Sequence, residues 1–195
     1  MKGRSFSTLA GQFAIAAGIL GFLYSLSFVV LKNDVLTALF LMLGGLCSLV
    51  ALTGLYGHLR EIEPSYALLA FILSAGAAAG SIIHGGYDLS NALHPPATLN
   101  TDLPNPIDPR GLLTFGIASI GIYFFSRLMS NSKFPNGLST LGYLSAVLML
   151  VLYLGRLIIL QATSLIIVIP ALLEGFLVNP IWYIWLGSAL MRENK

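Results

Sequence analysis

Residues 8–31 read TLAGQFAIAAGILGFLYSLSFVVL, 24 residues without a charged side chain or a proline. A helix rises 1.5 Å per residue, so about 20 apolar residues cross a hydrocarbon core of about 30 Å. This run is long enough to do so. Lys2 and Arg4 precede it as they would in a signal peptide. The apolar run is too long for one, however, and no small-residue cleavage site follows it, so it reads as a retained first span.

Five further long, mostly apolar runs follow, at 35–57, 66–87, 111–130, 138–160 and 166–190, the last three interrupted by Arg127, by Arg156, and by Pro170, Glu174 and Pro180. The expected fold is all-α: a polytopic membrane helix bundle with six transmembrane helices, forming one membrane domain over residues 1–195. Composition agrees. The chain is 56% hydrophobic and 9% charged, with a mean hydropathy of +0.85, whereas soluble domains carry about 25% charged residues to cover a wet surface. The partner this implies is the lipid bilayer.

The net charge is +2 and the basic residues are scattered, which leaves no electrostatic footprint for nucleic acid. The one cysteine, Cys47, sits in an apolar run. It excludes an internal disulfide, a CxxC pair and a thiolate metal cage, and reads as a packing residue.

With the amino end inside, one side of the membrane holds Lys2, Arg4, Arg60, Arg127, Lys133, Arg192 and Lys195, and the other holds Lys32 and Arg110. The positive-inside rule then predicts a multi-pass protein of the inner (cytoplasmic) membrane with both termini cytoplasmic. The one long connection, 88–110, carries Pro95, Pro96, Pro104, Pro106 and Pro109. Prolines fix φ and remove donors, so an irregular, partly stiffened external loop is expected there.

Ionisable groups inside a bilayer are costly and are site candidates by default. Counted along the spans, Arg156 and Glu174 fall in the outer half, level with His84 and Asp88 near the outer end of the third span. The expected arrangement is an Arg156–Glu174 pair across the fifth–sixth hairpin, with His84 and Asp88 facing it and Tyr87, Asn91, His94 and Gln161 as possible extensions. The plainer reading is an ion pair that fixes the hairpin while His84 and Asp88 meet headgroups and water. The other is an outward-opening polar pocket. His58 lies at the opposite membrane face from His84, so neither a metal site nor a bis-histidine haem is expected, and no catalytic residue or cofactor is predicted.

Three other features point to packing. The run 74–81 (SAGAAAGS) suits close helix approach and makes the third span the expected bundle centre. Pro170 and Pro180 interrupt the sixth span, and Trp182, Tyr183 and Trp185 after them read as an interfacial aromatic belt. Gly54, Tyr56 and Arg60 are echoed by Gly121, Tyr123 and Arg127, 67 residues on. A parallel repeat and ordinary interfacial anchoring both account for that echo.

The six-span plan, the ending Gly54-Leu55-Tyr56 with its short charged turn, and the closing stretch Asn179-Pro180-Ile181-Trp182-Tyr183-Ile184-Trp185-Leu186-Gly187 resemble a broad group of small uncharacterised bacterial membrane proteins sharing a domain of unknown function. The resemblance covers most of the chain in layout and short motifs in residues. It implies the fold and no activity, and loop 88–110 has no counterpart in it.

No Walker motif, nucleophile elbow, HExxH or CxxC occurs. The first expectation is therefore a non-enzymatic accessory or structural subunit of a membrane complex, its partners being other membrane subunits or further copies of itself. The alternatives are a small-solute or proton-coupled transporter built on Glu174, Arg156 and His84, and a protein binding a lipid, quinone, pigment or haem through His84 and Asp88.

Overall fold

The computed structural model describes residues 6–95, 112–159 and 163–192. Among them there is no strand, and six helices follow one another: α1 Phe6–Leu31, α2 Asp34–Leu59, α3 Pro64–Leu93, α4 Thr114–Met129, α5 Asn136–Ile158 and α6 Leu165–Arg192. Five are long and apolar enough to cross a membrane, and α4 is the shorter one. Helical residues begin at Leu112, so 112–129 covers about 27 Å. The protein is a membrane-embedded helical bundle. Its outer surface carries large apolar side chains such as Phe28, Ile72, Ile83, Val147 and Leu165, as a lipid-facing surface requires.

Helix starts follow local chemistry. Asn33 caps α2 by accepting the Leu36 N–H at 2.9 Å. Glu63 caps α3, accepting the Ser65 and Tyr66 N–H groups, and Pro64 follows at the first helical position, where its missing donor costs nothing. The third helix overruns its expected end at residue 87 and continues to Leu93. The polar residues from Asp88 onward end the apolar span without ending the helix. The remainder of loop 88–110 beyond Pro95, with Pro96, Pro104, Pro106, Pro109 and Arg110, lies outside the described residues, as do Lys2, Arg4, Gln161 and Lys195.

α1 ends in a π-helical turn, Leu26–Leu31, closed by Lys32, whose backbone N–H bonds back to Ser27 O. Lys32 sits at φ 51°, ψ 43°, in the left-handed region. That conformation costs a side-chain-bearing residue about 1–2 kcal/mol, partly balanced by glycine's greater freedom when unfolded. Lys32→Gly is therefore expected to stabilise the bundle by up to about 1 kcal/mol, read as a raised thermal midpoint in detergent.

Each helix packs on its sequence neighbours, and α6 closes the ring by packing on α1. The expectation that the third span is the bundle centre is therefore corrected: α3 packs chiefly against α2 and α4. Its small residues serve two flanks. Gly45 of α2 fits against Ala78 O, and Gly121 of α4 fits against Ala70 O and Ser74. α1 and α6 meet through Gly11, Gly18 and Gly187, where an added Cβ would overlap the opposing backbone.

The echoed residues occupy matching places in this ring. Gly54 is pressed against Ala10 on the preceding helix, as Gly121 is against Ser74 on its own preceding helix. Tyr56 stacks on Phe71 of the following helix at 5.1 Å, and Tyr123 meets Tyr143 of its following helix at 5.5 Å.

The apolar core is concentrated toward the end carrying Phe6 and Arg192, where Leu52, Leu55, Leu59, Phe125, Met129, Leu138, Trp182, Leu186 and Leu190 are buried together. Ser7 ties that end shut, donating to Leu190 O at 2.8 Å and bonding His58 Nε2 at 2.9 Å. The expected aromatic belt is corrected here. Trp182 is 1% exposed and meets the buried Tyr183 edge-on at 4.9 Å, so both are core residues, and Trp185 alone of the three faces outward.

Candidate functional site

Two separate polar regions interrupt this apolar bundle. At the end opposite Phe6 and Arg192, helices α1 to α5 part around a cleft of about 910 Å³. Lys32 from the α1–α2 turn, Asp34 from the first position of α2, His84, Asp88 and Asn91 from α3, and Arg156 from α5 line it. His84 and Asp88 are one turn apart on a helix face, and their Nε2 and Oδ2 atoms are 2.9 Å apart. Arg156 is exposed and forms no ion pair among the described residues.

Of the expected pocket, the structure thus assembles His84, Asp88 and Arg156, with Asn91 from the extension. Tyr87 is turned outward. His94 is exposed at the end of α3, its backbone N–H bonded to Ser90 O at 2.9 Å. Lys32 and Asp34 were not anticipated because charges flanking a short turn between two spans look like ordinary interfacial anchors. Tyr153, which also lines the cleft, was legible as the residue three before Arg156 and so on its face.

Glu174 does not belong to the cleft, and the expected Arg156–Glu174 pair does not form. The helix level with Glu174 on α5 is at Ser145, whose hydroxyl donates to Glu174 Oε1 at 2.5 Å. Arg156 lies 11 residues further along α5, about 16 Å at helical rise. Counting both spans from a common hairpin level had placed the two charges side by side.

The second region is built around that carboxylate. Glu174 is 5% exposed and opens a π-helical turn, Glu174–Val178, between Pro170 and Pro180 of α6. Pro180 has no N–H, and its ring would strike the carbonyl four residues back in a regular helix. One widened turn before it relieves that clash. The Asn179 N–H bonds to Glu174 O, five residues back. In an α-helix, residues five apart point about 140° apart at about 100° per residue. The widened turn brings Asn179 round beneath Glu174, and its side chain interacts with the carboxylate.

α1 completes the enclosure through Gly21, which leaves room for Asn179 Oδ1, and Ser25, whose hydroxyl lies against Gly175. Tyr183, whose hydroxyl interacts with Ser48 of α2, lies within electrostatic reach. Glu174 Oε2 is buried and accepts no hydrogen bond of ordinary geometry. Among the described residues no Lys, Arg or His pairs with Glu174, and no three His, Cys, Asp or Glu side chains gather.

Burying a lone carboxylate costs far more than one serine hydroxyl returns. The arrangement balances when a proton on Oε2 or a small monovalent cation beside it neutralises the charge. The chemistry of the site suits a proton or a small monovalent cation.

No family model, curated protein or solved structure matches the chain. The resemblance to small bacterial membrane proteins therefore rests on the six-span plan, Gly54-Leu55-Tyr56 and the stretch 179–187 alone.

Proposed function

We propose that the protein is a cation-coupled carrier of a small polar solute in the cytoplasmic membrane, with both termini inside, and that Glu174 is its coupling site. The observation that carries this reading is Glu174 itself: a buried carboxylate with one oxygen held by Ser145 and the other in no hydrogen bond of ordinary geometry, in the widened turn of a proline-broken helix. Broken membrane helices supply ion sites near the midplane because their irregular backbone can move and is locally polar. The subunit reading rests on missing motifs and on loop 88–110 as a docking surface, most of which lies outside the described residues, whereas this is a positive feature with a physical cost, and it ranks first for that reason.

Uptake of a proton forms an O–H bond at Oε2 and removes the buried charge. Release restores the charge and favours a rearrangement that lets water reach it, with Pro170 and Pro180 bounding the segment that moves. The cleft lies above. Leu152, which lines it, is seven residues from Ser145 on the same face of α5, about 10 Å away. Motion of α6 against α5 at Glu174 is then transmitted to the cleft wall. Arg156 and Lys32 would meet a negative group of the solute, and Asp88 and Asp34 a positive one.

Infrared difference spectra of the reconstituted protein, taken on changing pH and on exchanging sodium for choline, test the site without knowledge of the solute. A carboxyl band that responds to one cation and is absent in Glu174→Gln is expected. Uptake of a panel of small polar solutes driven by that cation should follow. An unchanged band together with no driven uptake across the panel would remove the reading.

A further inference from the structure

A third feature is independent of both polar regions and of the carrier reading. Beside the packed end of the bundle, the α4–α5 turn and the last turns of α6 bound a groove of about 500 Å³. Its floor is apolar, formed by Phe134, Pro135, Ile181, Ile184 and Ala189, and it carries two cations, Lys133 and Arg192. None of its lining residues is acidic, and neither cation enters an ion pair among the described residues.

The groove is held in shape. The Trp185 ring packs on Gly137, where an added Cβ would stand 2.6 Å from the indole, and the Phe134 N–H donates to Ser132 Oγ at 3.1 Å, bracing the turn. Trp185 is 38% exposed, and Ile181 and Ile184 also face outward, so the groove opens sideways onto the lipid-facing surface. The Ser188 hydroxyl donates to Ile184 O at 3.0 Å, which leaves recognition to the cations. An occupant that satisfies this surface is amphipathic, with an apolar chain over Ile181 and Ile184 and a negative head at Lys133 and Arg192.

We propose that this groove binds an anionic phospholipid, its phosphate held by Lys133 and Arg192 and one acyl chain lying along Ile181, Ile184 and Trp185. Arginine offers a planar donor fork matched to phosphate oxygens, and basic pockets between membrane helices select anionic headgroups in this way. Tryptophan beside them suits the headgroup level, where one edge is apolar and the other wet.

The test uses tryptophan fluorescence in nanodiscs containing acyl-brominated phosphatidylglycerol diluted into phosphatidylcholine, compared with acyl-brominated phosphatidylcholine at the same mole fraction. Trp182 is 1% exposed, so quenching reports on Trp185. The brominated anionic lipid is expected to quench at lower mole fraction, with each cation contributing about a five-fold preference. Lys133→Gln with Arg192→Gln should remove the preference, Lys133→Arg should keep it, and raised salt should narrow it in the unaltered protein. Equal quenching by the two lipids, or a preference untouched by both the double variant and salt, would overturn the proposal. A preference erased by excess inorganic phosphate would assign the cations to a free anion and also overturn it.

Discussion

Replacing Gly85 by alanine is expected to destabilise the bundle by about 2 kcal/mol, while the same replacement at Gly76 is expected to leave it unchanged or stabilise it by up to about 1 kcal/mol. Both glycines lie on α3, and only one is at a crossing. A Cβ on Gly85 would stand 2.5 Å from Met42 N, 2.7 Å from Ala38 O and 2.9 Å from Met42 Cα, whereas a Cβ on Gly76 meets nothing within 4 Å. The atoms facing Gly85 are all backbone of α2, which cannot rotate away as a side chain can, so the two helices must separate along their whole contact. Overpacking of this kind costs about 1–3 kcal/mol, and alanine's better helix propensity returns at most about 1. At Gly76 only the propensity gain remains. Reversible unfolding of the two variants in mixed micelles, followed by circular dichroism, separates the cases, and equal stability of the pair would mean that α2 and α3 do not cross at Gly85.

That pair of glycines also marks the limit of what the sequence discloses. The small-residue run 74–81 announced that α3 approaches a neighbour closely, and it does, through Ala78 and Ser74. The closest backbone approach of α3 to a neighbour lies outside the run, at Gly85, because a contact depends on which face meets the partner rather than on how many small residues occur together. In a soluble helix an apolar stripe reveals that face. In a membrane helix the lipid side is as apolar as the core side, so the stripe disappears. Trp182 and Tyr183 were misjudged for the same reason. Nothing in the stretch 179–187 separates the ring that enters the core from Trp185, which faces out.

The six helices were legible because bilayer thickness imposes a length that a long apolar run with at most an isolated charge satisfies. The cleft was legible in part because His84, Asp88 and Arg156 are rare residues in such runs and fall near one end. Ser145 was not legible as the partner of Glu174. Serine is common among the buried residues here, at 25, 27, 74, 119, 126, 139 and 145, and most of these hydroxyls can bond their own helix, as Ser126 does to Ile122 O. The nearest opposite charge was the natural guess. It failed because the level of a residue in one helix relative to another depends on the joint between them and on the widened turn, and neither is written in residue counts.

Glu174→Gln is expected to abolish every cation-dependent response while leaving the bundle folded, and Glu174→Asp to weaken those responses without abolishing them. Glutamine has the shape of glutamate. Its amide oxygen can accept the Ser145 hydroxyl that now reaches Oε1, and its NH2 group, in place of Oε2, can donate to the side-chain oxygen of the neighbouring Asn179. Folding then loses no packing and sheds a buried group that needs a counter-ion, so stability should stay within about 1 kcal/mol of the original or rise. Cation binding, by contrast, needs a group that changes charge, and an amide does not. Aspartate keeps that property but draws the carboxylate back by one methylene, stretching the Ser145 bond. A displacement of about 1 Å at a positioned group can cost about 100-fold in rate, so coupled uptake well below the original, yet still cation-dependent, is the expected result. Infrared bands and driven uptake measured on the same preparations, beside thermal midpoints, distinguish the outcomes. A folded Glu174→Gln protein that still responds to the cation would move the coupling site elsewhere, and a cation-independent band at Glu174 would make the Glu174–Ser145 bond a structural clasp between α5 and α6.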